Sequence, residues 1–434
     1  MNMLERLGRG LTVPARGEQA RNETSDTVQG TPATDELRPA HHLGHLDQDP
    51  PSDAMDQLRR AVQASIGELF SEGNTISILR NGVEIFPEML EAIAAAKRSI
   101  DFVTFVYWKG EIAQKFASAL AEKSLQGVKV RVILDGFGSL PMKKELIDTM
   151  REAGVLVEIF RPVLRWKLWE SDHRTHRKIL VVDGEVGFTG GVGIAEEWEG
   201  DARNPGEWRD THFRIEGPAV LGLRAAFLTD WRDTNHVLEP GDVESGLPAT
   251  PGDVDIAVID GSAQIGYSDA ERVMEAVTLA ARRRILIQTP YFNPTTEMRE
   301  LLMAAVARGV DVDIILTGPH IDKRVSEVMA EEMYLPLVRN GVRVWIYQPT
   351  LLHVKAFLVD GVLSLVGSTN VNRRSVEKDE EVALAVLDRA TTRQLEQHFL
   401  DDLQNCLPAA TDPSERPWRR RVAAKLLRPL IHEM

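Results

Sequence analysis

Two segments of the sequence carry the same three polar residues at the same spacing. Each segment reads H-x-K-x-x-x-x-D and is followed by a glycine. The matching residues are His176, Lys178, Asp183, His353, Lys355 and Asp360. His173 lies three residues before His176 and fits neither copy, so we interpret it as a solvated loop histidine. One match of this kind is a weak signal, but two matches in one chain indicate a shared site.

The spacing predicts which of these side chains can act together. The segments "KILVVDG" and "KAFLVDG" are strand-like, and side chains alternate across a strand, so the histidine and the lysine of each copy share a face. Asp183 and Asp360 belong to the same motif, but in a regular strand they face the other way. We therefore expect both aspartates to have a structural role, by pairing with a cation or capping a turn.

Two imidazoles and two ammonium groups around one point suit a phosphate diester. The lysines neutralise its charge, one histidine can attack phosphorus, and the other can protonate the leaving oxygen. Histidine suits both tasks because its pKa lies near neutrality. Since the lysines supply the counter-charge and no metal-ligand spacing surrounds the motifs, we expect neither a metal nor a cofactor.

The elements that must position these residues are themselves duplicated. From about residue 76, strand-like and helix-like segments alternate, which predicts an α/β fold with a parallel or mixed sheet. "GVKVRVILD" matches "GVDVDIILT", "EAGVLVEIF" matches "RNGVRVWIY", and "KRSIDFVTFVYW" matches "RRRILIQTPYF". The two polar motifs occupy equivalent places in this repeat, so the chain is an internal duplication.

Composition narrows the class of protein. The 434 residues have a formal net charge of −14, which argues against a general nucleic-acid binder because such proteins need a basic face. The single cysteine, Cys406, excludes an intramolecular disulfide. No apolar run approaches the length of roughly 20 residues that a membrane span needs, and no signal peptide is recognisable.

The paired motifs resemble the HKD motifs of the phospholipase D superfamily. The resemblance covers roughly residues 60–434, and it includes "GSTNVNRRSVEKDEEV" in the second half and "EWRDTHFRIEGPAV" and "FLTDW" in the first. With "TPYFNP", these segments are most similar to bacterial cardiolipin synthases of the short form without transmembrane helices. The resemblance implies two αβαβα sandwich halves that share one active site at their interface.

The resemblance also implies roles for individual residues. Ser368 and Asn370 would hydrogen-bond the substrate phosphate, and Asp210 and Glu381 would each orient a catalytic histidine, in a pairing that the sequence leaves open. His176 would be the nucleophile that forms a phosphohistidine, and His353 the acid and base. The first half departs from the family pattern at Gly193, where asparagine is usual, so we expect an asymmetric site.

These observations divide the chain into four segments. We expect a disordered tail over residues 1–54, a first phospholipase D-like half over 55–240, a second half over 241–410, and a basic amphipathic tail over 411–434.

Two segments favour a lipid substrate. The loop before His176 interleaves cations with tryptophans, which suits a membrane interface; its residues are Arg161, Arg165, Trp166, Lys167, Trp169 and Arg174. The C-terminal tail places the apolar residues Trp418, Val422, Leu426, Leu427 and Leu430 among several arginines and lysines. Such a segment is typical of a membrane-surface anchor, although a packed loop and a docked helix are the alternatives.

Two functions remain open at this point. The first is a phosphatidyltransferase, a cardiolipin synthase acting on phosphatidylglycerol or a related phospholipid. The second is a phospholipase D, phosphodiesterase or nuclease that uses water as the acceptor, since fold does not choose between them. We expect peripheral contact with an anionic membrane on the cytoplasmic side of the bacterial inner membrane, with a cytoplasmic location as the alternative, and no nucleic-acid partner.

Replacement of either motif histidine tests the shared site. His176→Ala and His353→Ala should each abolish turnover, because a covalent step collapses when its nucleophile or its proton donor is removed. The loss should exceed what weaker substrate binding explains, so kcat must fall and not only kcat/KM. Near wild-type turnover by either variant would contradict a mechanism with two histidines.

Overall fold

The computed structural model describes residues 49–67, 69–163, 173–243, 249–261 and 268–411. The expected N-terminal tail up to residue 48 and the basic tail from residue 412 lie outside these ranges. Within them, no helix is long and apolar enough to cross a membrane.

The first half consists of a seven-stranded sheet with helices on its faces, together with a short strand that joins the other half. A helix precedes it: α1 (Ala54–Ile66). The elements that follow are β1 (Ser71–Arg80), α2 (Asn81–Ala95), β2 (Ser99–Thr104), α3 (Glu111–Leu125), β3 (Lys129–Asp135), α4 (Lys144–Glu152), β4 (Leu156–Phe160), β5 (Arg174–Thr175), β6 (Lys178–Val182), β7 (Val186–Gly190), β8 (Thr211–Glu216), α5 (Ala219–Asp233) and α6 (Pro240–Val243).

The second half repeats this order. Its elements are β9 (Val254–Gly261), α7 (Asp269–Ala280), β10 (Arg284–Thr289), α8 (Thr296–Ala307), β11 (Asp311–Thr317), α9 (Arg324–Arg339), β12 (Arg343–Tyr347), β13 (Ala356–Val359), β14 (Leu363–Gly367), α10 (Arg373–Glu377), β15 (Asp379–Leu387), α11 (Arg389–Leu403) and β16 (Cys406–Pro408). The matched segments of the sequence form equivalent strands in the two halves, which confirms the predicted duplication.

The strands of both halves form one continuous sheet. Its order is β16-β12-β11-β10-β13-β14-β15-β9-β1-β8-β7-β6-β2-β3-β4, so the second half repeats the strand order of the first in the opposite direction. The halves meet where β1 pairs antiparallel with β9. In each half, the strand that follows the motif histidine lies beside the first strand of the parallel set. β6, which begins at Lys178, pairs with β2, and β13, which begins directly after Lys355, pairs with β10.

Alternation along the strands distributes apolar residues between separate cores. In β3, Val132 and Leu134 pack with α2 and α3, whereas Ile133 faces a central core. That central core also contains Phe227 of α5 and Phe399 of α11. Since residues of both halves build it, the halves are fixed to each other by apolar packing, and the interface that holds the site is rigid.

Helix α1 packs on the second half. Ala54, Leu58 and Val62 belong to the second half's outer core, Gln57 Nε2 donates to the Ala280 carbonyl at 2.9 Å, and Arg59 pairs with Asp255. The boundary at residue 55, drawn from the sequence, assigned this helix to the first half. Its contacts lie on the second half, so α1 connects the chain that precedes the first half to the outer core of the second.

Buried arginines connect the halves beside the motifs. Arg177, between the two motif residues of the first half, is fully buried and pairs with Asp230 and with Asp260 of the second half. Arg209 of the first half donates through Nε to Asp402 of the second at 3.0 Å. A buried cation is stable only when opposite charge surrounds it, so these ion pairs require correct docking of the halves.

Loss of the Arg177 guanidinium should weaken the whole fold. Arg177→Met leaves Asp230 and Asp260 without their cation, and breaking a buried pair in this way costs about 3–5 kcal/mol. Urea unfolding followed by tryptophan fluorescence should therefore show a much lower midpoint for this variant. The matched control is Arg203→Met: Arg203 pairs with Asp201 but its side chain is 79% exposed, so its loss should change stability by less than about 1 kcal/mol. Equal midpoints for the two variants would contradict the assigned role of Arg177.

Candidate active site

Each motif histidine is held by backbone hydrogen bonds to the other half. His176 follows the short strand β5, which pairs in parallel with the start of β15, and its N–H donates to the Glu380 carbonyl at 2.8 Å. The N–H of His353 donates in the same way to the Arg209 carbonyl at 2.7 Å. Both histidines are largely buried, at 9% and 5% exposure.

The carboxylates that contact the histidines also come from the opposite half. His176 Nδ1 lies 2.9 Å and 3.1 Å from the two carboxylate oxygens of Glu381. His353 Nδ1 lies 2.8 Å from Asp210 Oδ2. The structure thus shows which acid serves which histidine, a question that the sequence left open. With Nδ1 engaged by the acid, Nε2 of each imidazole is left for chemistry; Nε2 of His353 lies 3.2 Å from Lys355 Nζ.

The motif lysines lie beside these imidazoles. Lys178 Nζ donates to the His176 carbonyl at 2.7 Å, and Lys355 Nζ donates to the His353 carbonyl at 2.6 Å. Lys355 Nζ also lies 2.9 Å from His353 Nδ1. Two ammonium groups buried next to two imidazoles form a pocket of positive potential that suits a phosphate diester anion. Among the described residues, no three or more His, Cys, Asp and Glu side chains form a group that could hold a metal ion.

Burial and mutual repulsion keep the histidines neutral in the free site. Burial lowers the pKa of His353 to about 4, and the neighbouring Lys355 contributes to this shift. The pKa of His176 lies well below its usual 6.5 for the same reasons, with Lys178 and then Lys355 as the charged neighbours. Burial lowers the pKa of Lys178 to about 8 and that of Lys355 to about 7. The site is therefore short of negative charge, which a bound phosphate supplies.

The two orienting acids differ in strength. Burial raises the pKa of Glu381 to about 7. Burial opposes ionisation of Asp210 too, but attraction to His353 and hydrogen bonds from His353 and Trp198 outweigh it, so the pKa of Asp210 lies below 3.8. Trp198 Nε1 donates to Asp210 Oδ2 at 2.9 Å. A firmly ionised carboxylate beside His353 favours its protonated form more than Glu381 favours that of His176.

The glycine turns after the motifs are asymmetric, as the sequence indicates. Ser368 Oγ donates to Glu381 and accepts the Val382 N–H at 3.0 Å, whereas the equivalent Gly191 leaves no room for a side chain because Asp210 Oδ1 lies 2.2 Å from where its Cβ would be. Gly193 likewise stands against Val106, whose Cβ lies 2.6 Å from a Cβ built there. The first half thus lacks a counterpart to the amide of Asn370 for a steric reason.

Asn370 is buried in the second half's turn. Its Nδ2 lies 3.4 Å from Ser375 Oγ, and its Oδ1 has no hydrogen-bond partner. The structure thus brings Ser368 beside Glu381, and it leaves one polar atom of Asn370 unsatisfied near the site.

The motif aspartates lie at the far end of their strands and do not contact the reacting groups. Asp183 accepts the N–H groups of Lys97, Arg98 and Ser99 at 2.9, 2.6 and 2.9 Å. Asp360 accepts those of Arg282, Arg283 and Arg284 at 3.0, 2.8 and 3.0 Å. Both have positive φ, 56° and 52°, which aspartate tolerates better than most residues. They close a turn over the start of the neighbouring strand, which is the kind of structural role that the strand spacing predicts for them.

Aromatic side chains that the motifs do not identify as site residues line the histidines. Phe105 meets His176 edge to face with ring centroids 5.1 Å apart. Trp198, Trp208 and Tyr291 surround His353 at 5.3, 5.7 and 6.4 Å. Trp208 and Tyr291 belong to the segments "EWRD" and "TPYF", so the resemblance of these segments to the family indicated the correct parts of the chain. The contacts of Trp198 and Trp208 with His353 depend on the docking of the halves and have no signal in the sequence, whereas Tyr291 belongs to the same half as His353.

The loop before His176 is described only in part. Arg165, Trp166, Lys167 and Trp169 lie outside the described residues. Arg174 is 2% exposed, and its Nη1 donates to the Arg161 carbonyl at 2.6 Å, so it does not meet solvent or lipid as expected of an interfacial cation. His173 is exposed, and its Nδ1 lies 3.1 Å from the Lys378 carbonyl oxygen.

Comparison with known sequences shows the family. Residues 89–197 and 276–403 match the family described as "Cardiolipin synthase, PLD-like domain". Cardiolipin synthase 1 of Bacillus anthracis is 32% identical over 366 residues, which cover 82% of this chain and 72% of that protein. The major cardiolipin synthase of Bacillus subtilis is 31% identical over 339 residues, covering 77% and 70%.

Comparison with solved structures shows the fold. Phosphatidylserine synthase of Haemophilus influenzae superposes with a TM-score of 0.66 at 18% identity, covering 86% of this chain and 97% of that chain. Polyphosphate kinase of Porphyromonas gingivalis superposes with a TM-score of 0.53 at 17% identity, covering 90% and 56%. The chain has the phospholipase D fold, it belongs to the cardiolipin synthase family of phospholipase D-like proteins, and it is a phospholipase D-type phosphatidyltransferase.

Proposed function

We propose that this protein is a cardiolipin synthase that transfers a phosphatidyl group from one phosphatidylglycerol to a hydroxyl of a second. The observation that carries the proposal is the pair of buried histidines, each bound through Nδ1 to a carboxylate of the other half and each beside a buried lysine. The sequence relatives are cardiolipin synthases, which supports the choice of substrate.

In the first step His176 acts as the nucleophile. His353, neutral in the free site, takes up a proton from solvent at Nε2 when the phosphate anion binds. The Nε2 lone pair of His176 then attacks phosphorus, the bond from phosphorus to the headgroup glycerol oxygen breaks, and His353 gives its proton to that oxygen, so glycerol leaves. Lys178 and Lys355 hold the nonbridging oxygens. On the second side, the donor to the phosphate is the side-chain amide N–H of Asn370, because a carbonyl oxygen cannot donate to an anion. Ser368, which donates its hydroxyl hydrogen to Glu381 in the free site, has to redirect that hydrogen to contribute a second hydrogen bond.

In the second step the roles of acid and base reverse. The hydroxyl of the second phosphatidylglycerol gives its proton to His353, its oxygen attacks phosphorus, and the phosphorus to nitrogen bond breaks. His176 returns to its neutral form and cardiolipin is released. Charge balance requires no other reactant.

The difference between the two acids supports this division of roles. The acid and base must gain and lose a proton, and Asp210, which stays ionised, stabilises the imidazolium of His353 once the phosphate anion offsets the lysine charges. The nucleophile must be neutral when it attacks, and the low pKa of His176 meets that need. Glu381, whose pKa is about 7, fixes the tautomer of His176 without strongly favouring its protonation.

We further propose that the enzyme works at the cytoplasmic face of the bacterial inner membrane as a peripheral protein. Phe137 and Leu140, in the loop after β3, are 59% and 62% exposed. This loop contacts the surroundings of His176, because Trp108 Nε1 donates to the Gly138 carbonyl at 2.7 Å and Gly138 packs on Phe105. Exposed apolar side chains at the mouth of a lipid site suit contact with acyl chains.

Incubation with phosphatidylglycerol vesicles tests the proposed reaction. We expect purified protein to form cardiolipin and glycerol in equal amounts, because each transfer releases one glycerol. Mass spectrometry of the lipids and enzymatic assay of glycerol measure both. Phosphatidic acid and glycerol without cardiolipin would show a hydrolase instead, with water as the acceptor. The His353→Ala protein is the control for contaminating activity.

The rate should depend on pH through the protonation of the two motif lysines. Lys355 and Lys178 are charged below their pKa values of about 7 and about 8 and neutral above them. A neutral lysine does not pair with the phosphate anion, and the coupled group of lysines and histidines then holds one proton fewer. kcat/KM on a soluble short-chain phosphatidylglycerol should therefore fall as pH rises through 7 to 8. Lys355→Arg keeps its charge and should move this limb to higher pH, even at a lower rate. A wild-type profile that stays flat to pH 9 would contradict the assignment.

Removal of the basic tail should separate membrane binding from chemistry. Each cation near an anionic surface contributes roughly 1 kcal/mol, and salt screens that attraction. A protein shortened before Glu415 should therefore sediment less with phosphatidylglycerol vesicles, at low and at moderate salt. Its activity on a soluble phosphodiester should be retained, because both motifs lie upstream. Undiminished sedimentation would rule out the tail as the anchor, and lost soluble activity would make it part of the fold.

A further inference from the structure

The two sides of the site's mouth differ in polarity. On the side of His353, Tyr291 follows β10, and Asp322 and Lys323 lie in the loop between β11 and α9. The Tyr291 hydroxyl donates to the Asp322 carboxylate, with its oxygen 2.8 Å and 2.9 Å from the two carboxylate oxygens. Lys323 Nζ lies 5.1 Å from the centroid of the Tyr291 ring, and that ring meets His353 edge to face at 6.4 Å.

The duplication provides the matched comparison on the side of His176. Tyr291 is two residues beyond the end of β10, and Val106 occupies that position after β2. Asp322 and Lys323 are five and six residues beyond the end of β11, and Leu140 and Pro141 hold those positions after β3. The loop of the first half, residues 136–143, is two residues longer and contains no acid to match Asp322. It has a lysine, Lys143, directly before α4, and its Leu140 is 62% exposed.

The charges of the polar loop reach the reacting groups. Lys323 is among the cations that lower the pKa of His176, and the Asp322 carboxylate counteracts the fall in the pKa of Lys355. Both side chains are exposed, while the pKa of Tyr291 lies well above 10 because of burial and Asp322, so its hydroxyl stays a donor. One phenol hydrogen leaves the carboxylate with lone pairs to accept further hydrogen bonds.

We propose that Tyr291, Asp322 and Lys323 form the subsite for the acceptor headgroup, which binds a glycerol diol next to an anionic phosphodiester. The diol donates to Asp322, the acceptor's own phosphodiester pairs with Lys323, and the Tyr291 ring places the attacking hydroxyl beside His353, the base of the second step. This rests on the proposed function, since it identifies the acceptor of that reaction as an anionic lipid with a vicinal diol.

The subsite predicts specific changes in the choice among acceptors. Phosphatidylglycerol vesicles are supplied with ethanol and deuterated glycerol together, and mass spectrometry resolves cardiolipin, phosphatidylethanol and deuterated phosphatidylglycerol. Asp322→Asn should lower the ratio of deuterated phosphatidylglycerol to phosphatidylethanol by about tenfold or more, because ethanol has no diol, and Tyr291→Phe should lower it in the same direction. Lys323→Gln should lower the ratio of cardiolipin to deuterated phosphatidylglycerol by a similar factor, because free glycerol has no phosphodiester.

Matched substitutions away from the site complete the test. Lys144 and Asp148 form an exposed pair on α4 with 3.9 Å between their charged atoms, so Lys144→Gln and Asp148→Asn should leave all product ratios as in the wild type. If the subsite variants lower every product equally, or change no ratio, the proposal is overturned. Absence of cardiolipin from the wild type would overturn the proposed function, whereas the ratio of glycerol to ethanol products would still test the diol site.

Discussion

The exchange of carboxylates between the halves is the interaction on which the rest of the structure depends. Glu381 of the second half holds His176 of the first, and Asp210 of the first half holds His353 of the second. Neither half could orient its own histidine with the acid that it carries. Everything that fixes the docking of the halves therefore serves the site: the antiparallel pairing of β1 with β9, the central core around α5 and α11, and the buried ion pairs of Arg177 and Arg209.

Docking also accounts for the electrostatics. Two lysines, two histidines and two acids are removed from water together, and desolvation is the largest influence on every one of their pKa values. A buried cluster of this kind is unfavourable until its charges are balanced. A phosphate diester supplies the missing negative charge, so binding energy is concentrated at the reacting phosphorus. The duplication gives the cluster its near symmetry. Differences at equivalent positions, Gly191 in the first half against Ser368 in the second and Asp210 against Glu381, then give the two histidines different environments.

The repeated segments allowed most of this arrangement to be predicted from the sequence. Their matches placed the strands and both H-x-K pairs, because alternation and spacing are local properties of the chain. The partner of each acid could not be predicted, because it depends on how the halves pack. The same limit applies to Trp198 and Trp208, which reach His353 from the other half, and to Arg177, which looks like an ordinary cation between two motif residues. Arg174 shows the converse error, since a cation in a loop with tryptophans was expected at a surface and is buried.

The central claim is that His176 carries the phosphoryl group while His353 moves the proton. It is tested most directly with a soluble phosphodiester of a nitrophenol, whose leaving group needs no proton. The His353→Ala protein should release about one nitrophenolate per active site in a rapid burst, and intact mass followed by peptide mapping should locate the phosphoryl adduct on His176, because attack remains possible while the second step lacks its base. The His176→Ala protein should show neither burst nor adduct. An adduct on His353 in the His176→Ala protein, with no burst from His353→Ala, would contradict the account and reverse the two roles.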